Sequence, residues 1–311
     1  MPSVSRGRSI MNRKDKVYAV VLVGGKGKRL RPLSTDARPK AFLSVNRDGR
    51  TMFRATLDRI KKVVPAARII VSAGKDHERF VQRDFPGIDK KNLLLEPVSR
   101  NTAPAIGAAA ALVLRRHGDA VMVVLPADHY IRDETKFLST VKEGVRFAAR
   151  SLSLVVIGLE PAFASTQFGY IKVKAKVKSQ KAKVRNVFPV EKFVEKPDAK
   201  TASRYMESGD YLWNSGVFIF RATAFLVALA RYAPGLGELV GRCGGGRLAA
   251  WYRQCPDISI DYAVMQKADN IYCVKGSYRW QDIGSFSALR EVLRRESRGF
   301  VERKGAIVKI V

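Results

Sequence analysis

Glycines and cations crowd one stretch of this chain, VYAVVLVGGKGKRLRPLSTDARPKAFL at residues 17–43. Gly24, Gly25 and Gly27 follow an apolar run directly, and Arg29 and Lys40 come after them, with Lys26, Lys28 and Arg31 close by. Without a Cβ, glycine lets a ligand come close to backbone N–H groups. Amide donors beside fixed positive charge suit a polyphosphate. The spacing is not that of a dinucleotide-binding turn, because Leu30 stands where the third glycine of G-x-G-x-x-G belongs. The ATPase loop G-x-x-x-x-G-K-[ST] occurs nowhere. A plain basic turn is the blander alternative. The loop is read here as a cradle for nucleotide phosphates.

Two aspartates extend the set. Asp128 closes the apolar run VVLPAD, and Asp282 sits in WQDIGS between Trp280 and Gly284. Each alone reads equally well as a loop cap. Beside a phosphate loop, the pair is expected to hold Mg²⁺, an ion that takes one or two carboxylates and completes its shell with phosphate oxygens and water. Such a metal offsets charge on a transferred phosphoryl group and its leaving group.

Other chemistries find little support. Cys243, Cys255 and Cys273 are odd in number and lack C-x-x-C spacing, which argues against a disulfide framework or zinc site and for a reducing compartment, here the cytoplasm. His77, His117 and His129 form no metal-type cluster in sequence, and no G-x-S-x-G elbow occurs. The balance of 57 Lys+Arg against 28 Asp+Glu gives a formal charge of +29, which attracts anions. The densest run, IKVKAKVKSQKAKVRNV at 171–187, alternates Lys172, Lys174, Lys176 and Lys178 with apolar residues. That period of two reads as a strand turning near Ser179-Gln180, its lysines a solvated, edge-protecting face. Nucleic acid is therefore not the expected partner. Nor is a membrane: the apolar run APAIGAAAALVL at 103–114 is too short to span one, and the N-terminus lacks an apolar signal core. A homodimer is left open.

What positions these groups is an alternation of strand-like and helix-like segments. ARIIVSAG (67–74), NLLLEP (92–97) and SLVVIGL (153–159) read as strands, VMVVLPADHYI (121–131) as a buried strand ending at an acidic-His loop, and Asn101-Thr102 with Pro104 as a helix start. This predicts an α/β fold, a Rossmann-like, mostly parallel mixed sheet flanked by helices. Ligands of such sheets sit beyond the carboxyl ends of the strands, where the glycine loop, Glu96 and Asp128 all fall. The second half is richer in hairpins, with FGYIKVKAKVK, FVEKP and LWNSGVFIF. GRCGGGR at 241–247 reads as a connecting loop.

Several of these segments occur in an order that resembles the mannose-1-phosphate guanylyltransferases of the sugar-nucleotidyltransferase superfamily. The likeness spans about 17–290 and rests on GGKGKRLRPLS with PKAFL, LEPVSRNTAPAI, LPADHYI, FGYI, FVEKP, LWNSGVFIF, SIDYAVM and WQDIGS. The resemblance implies the nucleotide-diphospho-sugar transferase fold with a β-hairpin-rich sugar-binding portion. It implies GTP and α-D-mannose 1-phosphate as substrates, GDP-mannose and pyrophosphate as products, and Mg²⁺ as cofactor. Carried over residue by residue, Gly24, Gly25 and Gly27 present amides to the nucleotide, and Arg29 and Lys40 steady its phosphates. Glu96, Arg100 and Asn101 lie near guanine, and Asp128 and Asp282 hold the metal. Lys196 meets the sugar phosphate, and Gly169, Glu195, Asn214 and Asp261 line the mannose pocket. Blander roles stand beside some of these: a turn at Asn214-Ser215, a surface ion pair at Glu195-Lys196, a helix cap at Asp261.

The expected division is a flexible extension at 1–16, a catalytic domain at 17–290 with its nucleotide half at about 17–160 and its sugar half at about 161–290, and a short tail at 291–311. Neither an isomerase domain nor phosphomannose isomerase activity is expected. Lys28, Arg31, Ala41 and Gln281 depart from the family pattern, the two cations being expected to alter nucleotide affinity without abolishing binding. Two competing functions are a non-catalytic subunit that senses nucleotide sugars and a nucleotidyltransferase for another sugar 1-phosphate.

Overall fold

The computed structural model describes residues 16–25, 27–45, 48–174, 186–241, 248–295, 300–303 and 306–309. The expected N-terminal extension (save residue 16), Lys176 and Lys178 of the lysine run, and all but the first residue of the glycine-arginine loop lie outside them. The first half follows β1 (Val17–Val23), α1 (Met52–Ile60), β2 (Ile69–Gly74), α2 (Glu78–Asp84), β3 (Leu93–Glu96) and α3 (Thr102–His117). Then come β4 (Val121–Pro126), β5 (His129–Ile131), α4 (Glu134–Ala148) and β6 (Leu154–Leu159). The second half comprises β7 (Tyr170–Val173), β8 (Val187–Val194), α5 (Ala199–Ser208), β9 (Tyr211–Arg221), α6 (Ala222–Tyr232), α7 (Pro234–Gly241) and α8 (Leu248–Gln254). It closes with β10 (Ile271–Lys275), β11 (Trp280–Asp282), α9 (Phe286–Arg295) and a hairpin of β12 (Phe300–Arg303) and β13 (Ala306–Lys309).

Nine strands form one mixed sheet in the order β3-β2-β1-β4-β9-β6-β10-β8-β7. The block β3-β2-β1-β4 is parallel throughout, whereas β9 runs antiparallel to both β4 and β6. Alternate residues of β1 serve opposite faces. Tyr18 and Val20 join the core beneath α3, α6 and α7, and Val17, Ala19 and Val21 join the core beneath α1, α2 and α4. Burial on both faces explains why these strands read as continuous apolar runs instead of alternating ones. α3 starts where its sequence says it should: the Asn101 side chain accepts from the N–H of Thr102.

Three features differ from expectation. The strand of VMVVLPADHYI ends at Pro126, but the acidic-His loop expected after it is only Ala127-Asp128: His129–Ile131 form β5, which leaves the main sheet to pair antiparallel with β11. β7 is not an edge, because Tyr170–Lys172 pair with β8 on one side and with β9 on the other, so the second half of the sheet closes on itself. Lys172 is tied to Glu191 at 3.1 Å across that ladder. Finally, Leu289, Val292 and Leu293 of α9 pack with Leu30, Leu43, Met52 and Ile283, which carries the packed unit past residue 290.

β9 sets up the site. Its C-terminal residues Phe218–Arg221 pair with β4, and its N-terminal residues Tyr211–Trp213 pair with β7. Between them the register with β6 jumps from Val156↔Phe218 to Gly158↔Asn214, a bulge centred on Gly216 at φ 70°. Bulges of this kind re-aim side chains. This one opens a gap just past the carboxyl end of β4.

Candidate active site

A cavity of about 510 Å³ occupies that gap. Three groups of residues wall it: Gly24 and Gly25 after β1, Glu96 at the end of β3, and Asn101 at the start of α3; then Asp128, His129 and Asp282; and finally Gly169, Glu195, Lys196, Asn214 and Asp261. The parallel strands deliver the first group, as the rule for open α/β sheets predicts. The bulge and the β7–β9 pairing deliver the last.

The Lys40 ammonium bridges the two distant aspartates, 2.7 Å from Asp128 Oδ2 and 2.8 Å from Asp282 Oδ1. Lys40 does not line the cavity but backs its two carboxylates, its side chain only 10% exposed. Burial opposes charge on Lys40, yet the two carboxylates outweigh it and raise its pKa above the ordinary lysine value. For Asp282, burial pushes upward, and Lys40, His129 and Arg29 together hold the carboxyl below its usual range. Both oxygens of an ionised carboxylate only accept, which is the donor set a hard divalent cation takes. Among the described residues no group of three or more His, Cys, Asp or Glu side chains is arranged around a metal position. Two carboxylates with nucleotide oxygens do not need a third.

Gly27 has a different part from its neighbours. At φ 57° it is absent from the cavity lining, and a Cβ there would meet Ser34 Oγ at 2.5 Å and Lys40 Cβ at 3.0 Å. Only glycine lets the loop fold back tightly over Lys40. Arg29 points to the other side of Asp282, where Nη1 donates to Gln167 Oε1 at 2.6 Å. There it lines a second cavity of about 720 Å³, which shares Gln167, Phe168, Trp280 and Asp282 with the first. Arg100 lines neither; its guanidinium donates to the carbonyls of Tyr252 and Arg253 and so ties the loop before α3 to α8.

The last group forms a tight polar pocket. Asn214 Nδ2 donates to Asp261 Oδ1 at 3.2 Å, its Oδ1 accepts from the Gly216 N–H at 3.1 Å, and its N–H donates to the Gly169 carbonyl at 2.8 Å. Asn214-Ser215 is thus strand and bulge, not a simple turn. The Glu195–Lys196 ion pair exists at 2.6 Å, with the Glu195 side chain 7% exposed and Lys196 51%. Lys196 holds a left-handed φ of 47°, an uncommon conformation for a side-chain-bearing residue, and it turns the pair toward the cavity. Asp261 does not cap its helix: Ile260 holds the cap position, and Asp261 opens the π-helical turn Asp261–Met265. Burial, then the charge of Glu195, pushes its carboxyl up to about 7. A Cβ on Gly169 would lie 2.6 Å from Glu195 Oε2. Gly169→Ala is therefore expected to displace Glu195 and raise roughly tenfold or more the KM for the substrate that occupies this pocket. An unchanged KM in steady-state kinetics would remove Glu195 from that pocket.

A model of the nucleotidyl transferase family matches residues 18–298. The chain belongs to the nucleotidyl transferase family. Within it, the chain is 39% identical over 295 residues to the xanthan biosynthesis protein XanB of Xanthomonas campestris pv. campestris strain B100, covering 91% of this chain and 61% of that protein. It is 36% identical over 305 residues to the mannose-1-phosphate guanylyltransferase of Escherichia coli K12, covering 93% and 62%. A solved structure named as a mannose-1-phosphate geranyltransferase from Thermus thermophilus superposes with a TM-score of 0.81 at 36% identity, covering 89% of this chain and 79% of that one. The chain thus spans about three fifths of the length of these curated relatives. No described helix is long and apolar enough to cross a membrane. In this nucleotidyl transferase, sequence reasoning passed over His129, Gln167 and Trp280, all of which line the cavity. Their signal was present, since they stand in or beside the quoted LPADHYI, FGYI and WQDIGS segments.

Proposed function

We propose that this nucleotidyl transferase moves GMP from GTP to α-D-mannose 1-phosphate, giving GDP-mannose and pyrophosphate. The observation that carries the reading is the meeting of Asp128 and Asp282 on Lys40, in the wall of a cavity also lined by Gly24, Gly25, Glu96, Glu195, Lys196, Asn214 and Asp261. The name of the Escherichia coli relative points the same way.

Guanine presents N1–H and N2–H as adjacent donors, and the Glu96 carboxylate offers two acceptor oxygens to them. The amides of Gly24 and Gly25 face the phosphates. Glu195 and Asp261 accept from sugar hydroxyls, while the half-exposed Lys196 ammonium draws in the sugar phosphate. An anionic oxygen of the sugar phosphate attacks the α-phosphorus in line, and the bond from that phosphorus to the bridging oxygen of the departing pyrophosphate breaks. The nucleophile is already ionised, so no general base is needed; positioning and charge complementarity do the work. Asp128 and Asp282 would hold Mg²⁺, which when bound supplies neutralisation of the phosphate charge.

Burial raises the Glu96 carboxyl to about 7, the Ser72 hydroxyl at 2.8 Å offsetting this only in part. Below pH 7 the group is mostly protonated and has lost one acceptor; above it both oxygens accept. The KM for GTP is therefore expected to fall as pH rises through about 7, and Glu96→Gln to flatten that dependence. A profile unaltered by the substitution would detach Glu96 from the base.

Pyrophosphate release measured with GTP, ATP, UTP and dTTP against mannose 1-phosphate and glucose 1-phosphate tests the whole assignment. GTP with mannose 1-phosphate is expected to lead, and its activity to vanish with EDTA. A preference for another sugar phosphate, or tight GDP-mannose binding without pyrophosphate release, would replace the proposed reaction.

A further inference from the structure

His129 lines the cavity between Asp128 and the Trp280 indole, and its environment specifies where its proton sits. The Trp280 indole Nε1–H donates to His129 Nδ1 at 3.1 Å, with the rings edge to face at 5.3 Å and 89°. The contact is built into the backbone, because β5 and β11 pair with His129 opposite Asp282 and with Ile131 opposite Trp280. At Cε1, the carbon between its two nitrogens, the ring lies close to Gly216 of the β9 bulge, where a Cβ would come within 3.3 Å. An imidazole whose Nδ1 accepts a hydrogen bond carries its proton on Nε2. Among the described residues, Nε2 has no hydrogen-bond partner, and the ring lines the cavity together with Asp128 and Asp282.

We propose that His129 is a catalytic residue whose Nε2–H donates to a non-bridging oxygen of the phosphoryl group under transfer, and that Trp280 is the positioning residue that selects this tautomer. The inference rests on the nucleotidyl-transfer reading above. No bond to the protein forms: the proton stays on the imidazole, and the hydrogen bond strengthens as charge grows on that oxygen. A preorganised donor costs nothing to align at the moment of reaction, which is what the indole contact and the glycine wall provide.

Protein labelled with ¹⁵N at histidine, free of metal and nucleotide, tests the tautomer directly. The expected spectrum shows a protonated Nε2 and an unprotonated Nδ1 for His129, and Trp280→Phe is expected to populate the other tautomer. In kinetics, His129→Phe, which keeps a ring but no donor, should lower kcat on the order of a hundredfold with little change in the KM for GTP. His129→Gln, which restores an N–H at similar reach, should recover much of that loss, and Trp280→Phe should fall between. A wild-type protein with its proton on Nδ1 overturns the inference. So does a folded His129→Phe with unchanged kcat or, where that variant misfolds, a folded His129→Leu, which likewise lacks the donor, with unchanged kcat. Wild-type protein that transfers no nucleotide to any sugar phosphate overturns the reaction reading and the catalytic role together, while the tautomer spectrum still reports on Trp280.

Discussion

Asp282→Asn is expected to lower turnover by about 10²- to 10³-fold while the protein stays folded. The side chains are near-isosteric, and the backbone pairing of β11 with β5 at Asp282↔His129 does not depend on the carboxylate. What is lost is charge. Asparagine brings one neutral acceptor and an NH₂ that cannot face the Lys40 ammonium, now 2.8 Å from Asp282 Oδ1. Half of the expected metal-holding pair goes with it. Pyrophosphate release and circular dichroism on the same preparation separate chemistry from folding. Near-normal kcat would take Asp282 out of the reaction centre.

Lys40→Met is expected to damage both activity and stability. Methionine keeps much of the aliphatic volume but leaves Asp128 and Asp282 facing each other with no cation between them. Removing one partner from a largely buried ionic cluster costs about 3 kcal/mol, or a melting-temperature drop on the order of 5 °C in a domain of this size. Turnover is expected to fall at least about a hundredfold, because the carboxylates then repel and lose their orientation. The double substitution Lys40→Met with Asp282→Asn should be more stable than the sum of the two, since the second change removes the repulsion left by the first. Strict additivity in differential scanning fluorimetry would show that Lys40 does not bridge the pair.

The legible part of this fold was the part written locally. The runs at 17–23, 121–126 and 154–159 are buried on both faces of the sheet, so continuous apolar residues sufficed to mark them. Asn101-Thr102 announced α3 because capping is a contact between sequence neighbours. Partnerships between distant segments were not written locally. Nothing within β7 says that Tyr170–Lys172 pair with Tyr211–Trp213 as well as with β8, and nothing in LWNSGVFIF marks a bulge, although Gly216 is the residue that permits it.

The same division runs through the site. Glycines, aspartates and Lys196 were visible by type and segment, and the cavity brings most of them together. Their division of labour was not visible. Lys40 reads as one more loop cation until β5 and β11 carry Asp128 and Asp282 to it, and Arg100 looks like a cavity residue until α8 offers it two carbonyls. His129 belongs to no metal-type cluster in sequence, and its partner, an indole on β11, is 151 residues away along the chain.

A crystal structure of the protein soaked with GDP-mannose and Mg²⁺ bears most directly on the central claim. The predicted result has guanine against Glu96 and Asn101, the diphosphate beside Gly24, Gly25 and Lys196, metal on Asp128 and Asp282, and the sugar hydroxyls on Glu195, Asn214 and Asp261. Product density confined to the larger neighbouring cavity, or a diphosphate remote from both aspartates, would contradict it.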